Sequence, residues 1–187
     1  MKDLLRSLLI FIIMSLLTGL AYPFIMSGIS SVTMTEKARG SLIMSKGKII
    51  GSALIGQDFT DARYFHGRPS ALGKPYDASN SGGSNFGPSN NKFIDDVNER
   101  IKQARAENGL KHGAPVPADM VLASASGLDP HISVKTAFLQ TARVAHARGL
   151  PETTIKKTIS EVAQQHLGGP EIVNVLKLNL AVDELTR

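Results

Sequence analysis

The pattern of apolar and polar positions changes character three times along the chain. From Ser7 through Thr35 no residue is charged, and the centre of that run reads LLIFIIMSLLTGLAYPFIM. A helix of about 20 residues rises about 30 Å, the thickness of a bilayer's hydrocarbon layer. Residues 7–29 are therefore predicted as a transmembrane helix behind a short basic leader, residues 1–6. A cleaved secretory signal is the competing reading. Its apolar region is usually about 7 to 15 residues long and ends at a small-x-small site. Here the run is longer, and Tyr22, Pro23 and Phe24 stand where cleavage would fall, so a retained anchor is favoured. Pro23 is expected to end or kink the helix at the outer interface, with the Tyr22 hydroxyl in the wet layer. Lys2 and Arg6 place the N-terminus in the cytoplasm under the positive-inside rule, although Lys37 and Arg39 on the far flank weaken the asymmetry. Residues 33–187 are then expected as one extracytoplasmic domain.

Beyond the span the pattern first becomes strand-like. SLIMSKGKIIGSALIG reads as a hairpin turning at Lys46-Gly47, with a second strand reaching Leu54. From Gln57 to Asn91 the chain turns to Gly, Ser, Asn and Pro, the chemistry of a loop long enough to be either functional or disordered. Helical spacing follows in three runs. Ile94, Val97, Ile101 and Ala104 form the first, with Asn91 as cap and Gly109 as stop. The second is Val134, Ala137, Phe138, Thr141, Ala142 and Ala145, closed by Gly149 and Pro151. The third is Ile155, Ile159, Val162, Ala163 and His166, opened by Pro151 and closed by Gly168-Gly169-Pro170. Last, Leu176, Leu178 and Leu180 alternate with Lys177 and Asn179, which is strand periodicity, a terminal helix being the alternative. The exported part is predicted as α+β.

Composition narrows the chemistry. With 42% hydrophobic and 20% charged residues the chain has the make-up of a folded protein. A net charge of +5 permits contact with nucleic acid or anionic lipid, but the cations are dispersed and no recognition motif accompanies them, so no nucleic-acid partner is expected. The chain has no cysteine, which removes disulfides, thiolate nucleophiles and sulfur-ligated zinc. The five histidines show no H-E-x-x-H pair. SASGLDPHIS gathers serines, Asp129 and His131, yet Asp129-Pro130 reads best as a helix cap and first turn, and no G-x-S-x-G elbow exists. Arg143, His146 and Arg148 read as cations complementing the end of a helix dipole rather than as a basic patch. No catalytic, cofactor-binding or metal-ligating residue is therefore expected. A membrane-anchored hydrolase and an anchored ligand-binding sensory module remain as alternatives.

Taken in order, TGLAYP, GSALIGQDF, YFHGRPSA, SGGSN, ASASGLDPHIS, QTARVAHARGL and GGPEIVNVLKLNLAVDEL resemble the C subunits of the bacterial high-affinity potassium-transporting P-type ATPase, the Kdp complex. The resemblance implies an accessory subunit of the plasma membrane that hydrolyses nothing itself. Its implied partners are a channel-like potassium-binding subunit, an ATP-hydrolysing subunit and a small single-span subunit, which between them handle ATP, Mg and potassium. It further implies an assembly factor and catalytic chaperone that raises the ATP affinity of the ATPase subunit. A nucleotide-contacting L-S-x-x-Q stretch of relatives has its nearest counterpart in Leu150 to Thr154, which lacks the glutamine, so no ATP ligand is carried over. Candidate partner contacts are Gly19, Tyr22 and Pro23 in the span, and Tyr64, Phe65, His66, Arg68, Ser81, Gly82, Gly83, Ser84 and Asn85 in the loop.

Overall fold

The uncharged run is helical without a break from Lys2 to Thr33, long and apolar enough to cross a membrane. It comprises α1 (Lys2–Leu16), a π-helical turn (Leu17–Ala21) and α2 (Tyr22–Thr33). Pro23 was expected to end or kink this helix and does not end it. A helical proline lacks an N–H and crowds the carbonyl four residues back, here that of Gly19. The wider turn directly before it relieves that clash and lets the helix continue. Hydroxyls along the helix donate to its own carbonyls: Thr18 to Met14 at 2.7 Å, Ser30 to Met26 at 2.8 Å and Thr33 to Ile29 at 2.8 Å. Each thereby enters an apolar surrounding already satisfied.

The computed structural model describes residues 1–165 and 168–186, which fall into two compact units, Met1–Ile50 and Gly51–Arg187. After α2 comes a single helical turn, α3 (Thr35–Ala38). The Ser41 N–H donates to Glu36 O at 2.9 Å and the Gly40 N–H to Lys37 O at 3.0 Å, with Gly40 at φ 84°, a Schellman closure. The hairpin β1 (Leu42–Ser45) and β2 (Lys48–Ser52) follows. Lys46 and Gly47 both take positive φ, 49° and 75°, as a type I′ turn requires. The second strand stops at Ser52, two residues short of the expected Leu54.

The second unit is built on an antiparallel sheet ordered β3-β5-β4: β3 (His131–Ser133), β5 (Glu171–Asn174) and β4 (Gln164–Gln165). Ile132 stands opposite Val173 in the β3–β5 register. Helices α5 (Val134–Arg148), α6 (Glu152–Val162) and α7 (Val175–Glu184) pack with this sheet around Phe65, Ile132, Val144, Ile159, Val173 and Leu178. Helix α4 (Asn91–Glu107) and a short 3-10 turn (Ala118–Met120) precede the sheet and contact each other.

Five local expectations give way to this packing. The cap of α4 is Asn90, whose side chain accepts from Phe93 N–H, in place of Asn91. Asp129-Pro130 does not start a helix. Asp129 Oδ1 accepts from His131 N–H at 3.0 Å, turning the chain into β3, and Ser133 caps α5 by accepting from Thr136 N–H at 3.1 Å. Between the two cap-like residues, three residues become a strand because β5 is there to pair with them. The buried face of α5 is rotated from the expected stripe: Gln140 and Val144 are buried while Phe138 and Ala142 are exposed. Helix α6 ends at Val162, since Gln164 and Gln165 pair with β5; His166, the last position of its predicted repeat, lies outside the described residues. The alternating leucines form a helix, the alternative reading, because the buried set Val175, Leu176, Leu178, Asn179 and Val182 is a helical stripe that includes an asparagine.

Candidate functional site

Residues 53–90 form neither α-helix nor strand, yet their first half is held as firmly as one. Phe65 N–H donates to Asn179 Oδ1 at 2.8 Å, and Asn179 Nδ2 donates back to Phe65 O at 3.0 Å. Gln140 treats His66 in the same way, accepting from its N–H at 2.8 Å and donating to its O at 3.1 Å. Two side-chain amides, one from α7 and one from α5, thus replace a neighbouring strand. Arg143 Nη1 donates to Ala62 O at 2.8 Å and Tyr64 O at 2.9 Å, and Arg148 Nε donates to Arg63 O at 2.6 Å. Five consecutive carbonyls, from Ala62 to His66, are each met by a side chain. An unmet buried backbone group costs about 1–3 kcal/mol, which is the reason a segment without a ladder needs these partners.

The next turn of the loop joins the segment around Asp129. Arg68 Nη1 lies 3.0 Å from Asp129 Oδ2, and Arg68 Nη2 donates to Leu122 O and Ala123 O at 3.3 and 3.2 Å. Ser70 Oγ donates to Gly127 O at 3.1 Å. Burial works against the Asp129 carboxylate, but hydrogen bonds from His131 and Arg68 outweigh it and hold its pKa below the usual value. Tyr76 Oη donates to Arg68 O at 2.7 Å, and burial pushes this phenol up to about 12. The Tyr76 ring lies against Gly67 so closely that a Cβ there would collide with its hydroxyl. Farther on, Gly82 N–H and Ser81 Oγ both donate to Ser126 O, at 3.0 and 3.1 Å, and Gly83 backs onto the main chain of Ala125. YFHGRPSA and SGGSN therefore meet ASASGLDPHIS, which lies about 40 residues or more further along the sequence, on one side of the second unit.

The candidate contacts fare differently. Phe65, expected at a partner surface, is 0% exposed and belongs to the core, because its backbone is clamped between α5 and α7. Tyr64 is half-buried, its ring 5.4 Å from Phe59 and beneath the Arg148 guanidinium at 4.9 Å. His66 lines a cleft of about 350 Å³ with Arg68, Tyr76, Arg100 and Glu107. Its pKa is lowered, first by burial and then by the Arg143 guanidinium. Ser81, Ser84 and Asn85 are exposed, and Gly82 and Gly83 half-buried. In the first unit Gly19 lies in the π turn with open space around it, and Tyr22 and Pro23 are exposed. Arg148 stands in the last turn of α5 as expected, and both Arg143 and Arg148 also reach the loop carbonyls, while Arg148 Nη2 pairs with Asp183 Oδ1 at 2.7 Å.

Two serines near His131, Ser126 and Ser133, are engaged elsewhere. Ser133 Oγ donates to Thr136 Oγ1 at 3.1 Å, and Ser126 Oγ accepts from Leu128 N–H at 3.2 Å. Among the described residues, no group of three or more His, Asp or Glu side chains is placed to hold one metal ion. What the arrangement offers is a shaped, hydrogen-bonded surface. Gln140 and Asn179, which make that surface rigid, escaped the sequence reading; the one signal for them was an amide falling inside an apolar helical stripe.

A family model described as "KdpC: K+-transporting ATPase, c chain" matches residues 4–184. The chain belongs to the KdpC family. A potassium-transporting ATPase KdpC subunit from Polaromonas naphthalenivorans is 50% identical over 190 residues, covering 99% of this chain and 96% of its own. The KdpC subunit of Rhodopseudomonas palustris strain BisB5 is 45% identical, covering 100% and 99%, and that of Koribacter versatilis 44% identical, covering 97% and 94%. The match spans the apolar helix and the α+β unit alike, so both are parts of the KdpC design.

Proposed function

We propose that this chain is the accessory C subunit of an ATP-driven potassium uptake complex in a bacterial plasma membrane. Its N-terminus is cytoplasmic, residues 7–29 span the bilayer, and residues 33–187 stand outside. There the domain joins a channel-like potassium-binding subunit and an ATP-hydrolysing subunit, beside a small single-span peptide. Catalysis, and the handling of ATP, Mg and potassium, belong to those partners. As a catalytic chaperone the chain raises the ATP affinity of the ATPase subunit, and it does so through the span or the partners, since an exported domain does not touch cytoplasmic nucleotide.

One observation carries the reading. The family-like loop stretches meet on one surface, with the main chain of Phe65 and His66 and the Ser81 hydroxyl held by hydrogen bonds, which suits a rigid docking piece better than a reactive site. The test is purification of the tagged full chain from detergent-solubilised membranes. Two large membrane proteins are expected to accompany it, and the chain alone is expected to turn over nothing. Turnover by the chain alone that a single serine or histidine substitution abolishes would replace the subunit reading with a hydrolase. Protease added to intact spheroplasts that leaves the carboxyl half uncut would reverse the topology.

A further inference from the structure

The β1–β2 hairpin keeps an apolar face bare. Leu42 and Met44 point to one side of β1, and a two-residue turn sets Met44 opposite Ile49. These side chains are 46%, 63% and 60% exposed, whereas Ile43 and Ile50 on the opposite side are half-buried. The same segment is basic. Lys37 and Arg39 precede the hairpin, Lys46 sits at its tip and Lys48 beside it, against one carboxylate, Glu36, between Thr35 and Gln57. Among the described residues no ion pair engages Lys46 or Lys48, and both are exposed.

Position selects the occupant of this face. Helix α2 ends at Thr33 and β1 begins at Leu42, nine residues on. Nine extended residues reach about 32 Å at most, and the α3 turn with its Schellman closure shortens that further. A surface that is apolar in its middle, cationic at its edge and tethered this closely to a spanning helix matches the boundary between acyl chains and anionic headgroups. We infer that the hairpin is a second membrane contact. Leu42, Met44 and Ile49 seat at the acyl boundary, and Lys46 and Lys48 meet the phosphates of anionic lipids. The inference rests on reading residues 7–29, within the helix of residues 2–33, as the membrane span. It gives the hairpin a task separate from docking: a second lipid contact beside that of the span.

The absence of cysteine makes the test direct. Met44→Cys in the full chain, labelled with an environment-sensitive fluorophore, is reconstituted into phosphatidylglycerol or phosphatidylcholine vesicles carrying nitroxide-labelled lipid. Ile13→Cys serves as the marker of the span. Strong quenching at position 44 in phosphatidylglycerol is expected, weaker in phosphatidylcholine and in high salt. Lys46→Glu and Lys48→Glu are each expected to reduce the membrane-seated population by about fivefold or more at low salt. A position 44 label that stays in water while the position 13 label is quenched overturns the hairpin contact and leaves the span standing. Burial of position 44 that appears in lipid-free detergent only when the other subunits are present assigns the face to a protein and also overturns it. A position 13 label that stays in water removes the span itself.

Discussion

The two halves of the long irregular stretch both lack helix and strand and differ in kind. Residues 62–76 and 77–90 both carry glycine and proline, but the second is mostly Gly, Ser and Asn where the first has a single serine among aromatic and basic residues. The first half is clamped from both sides: Asn179, Gln140, Arg143 and Arg148 meet its carbonyls, Arg68 reaches Asp129, and Phe65 is a core residue. The second half rests on the domain through a few bonds to Ser126, after which residues 84–90 are exposed. The difference shows that a loop's rigidity is decided by distant side chains which its own composition does not reveal. It also divides the labour: the first half is architecture, and the second is free to contact something else.

The sharpest way to break that division is to remove a clamp. Asn179→Leu keeps the branched side-chain skeleton and the apolar stripe of α7 but leaves the Phe65 N–H and C=O without partners inside the core. A loss of about 3 kcal/mol is expected, seen as a lower unfolding midpoint of the full chain in detergent. An unchanged midpoint would mean that the amide is ornamental and the loop is held by Phe65 packing alone.

A smaller effect is expected where the first half meets Asp129. The folded pKa of this carboxyl is depressed, so its contribution is fully present above the unfolded value of 3.8 and is lost as pH falls through the lower folded value. The pair with Arg68 is part-exposed, which limits it to about 1 kcal/mol after solvent screening. Asp129→Asn is expected to lower stability by that amount at pH 7 and to flatten the decline as pH falls below about 4. Thermal unfolding of both proteins across that range checks it, and parallel curves would show that Arg68 holds the turn through Leu122 O and Ala123 O alone.

Sequence and structure part company for a physical reason that these residues share. The apolar run, the Lys46-Gly47 turn, the end of α5 at Gly149 and the start of α6 depend on local chemistry, and periodicity and turn residues point to them. Asn179 and Gln140 are polar, and their burial depends on a segment more than 70 residues away in sequence, which no local pattern shows. Asp129 and Ser133 are both cap residues, and nothing within SASGLDPHIS says that β5 will pair between them. Of the candidate contacts, the motif stretches were legible as a group, but composition could not separate Phe65, inside, from Ser84, outside.

The least destabilising change is then the most informative about function. Ser84→Glu with Asn85→Asp alters exposed side chains in the second half; aspartate tolerates the φ of 53° at position 85, and the Gly82 and Ser81 bonds to Ser126 are untouched. Stability is expected to change by no more than about 0.5 kcal/mol. If this half is the surface that meets the channel-like subunit, two added carboxylates that must be buried against it will sharply reduce co-purification while the unfolding midpoint stays in place. Full assembly with both carboxylates present would take the second half out of the interface, and the docking role would pass to the cleft side around His66 and Tyr76. Loss of assembly together with a falling midpoint would instead show that the two halves are not separate, and that the first half's rigidity extends further than its hydrogen bonds.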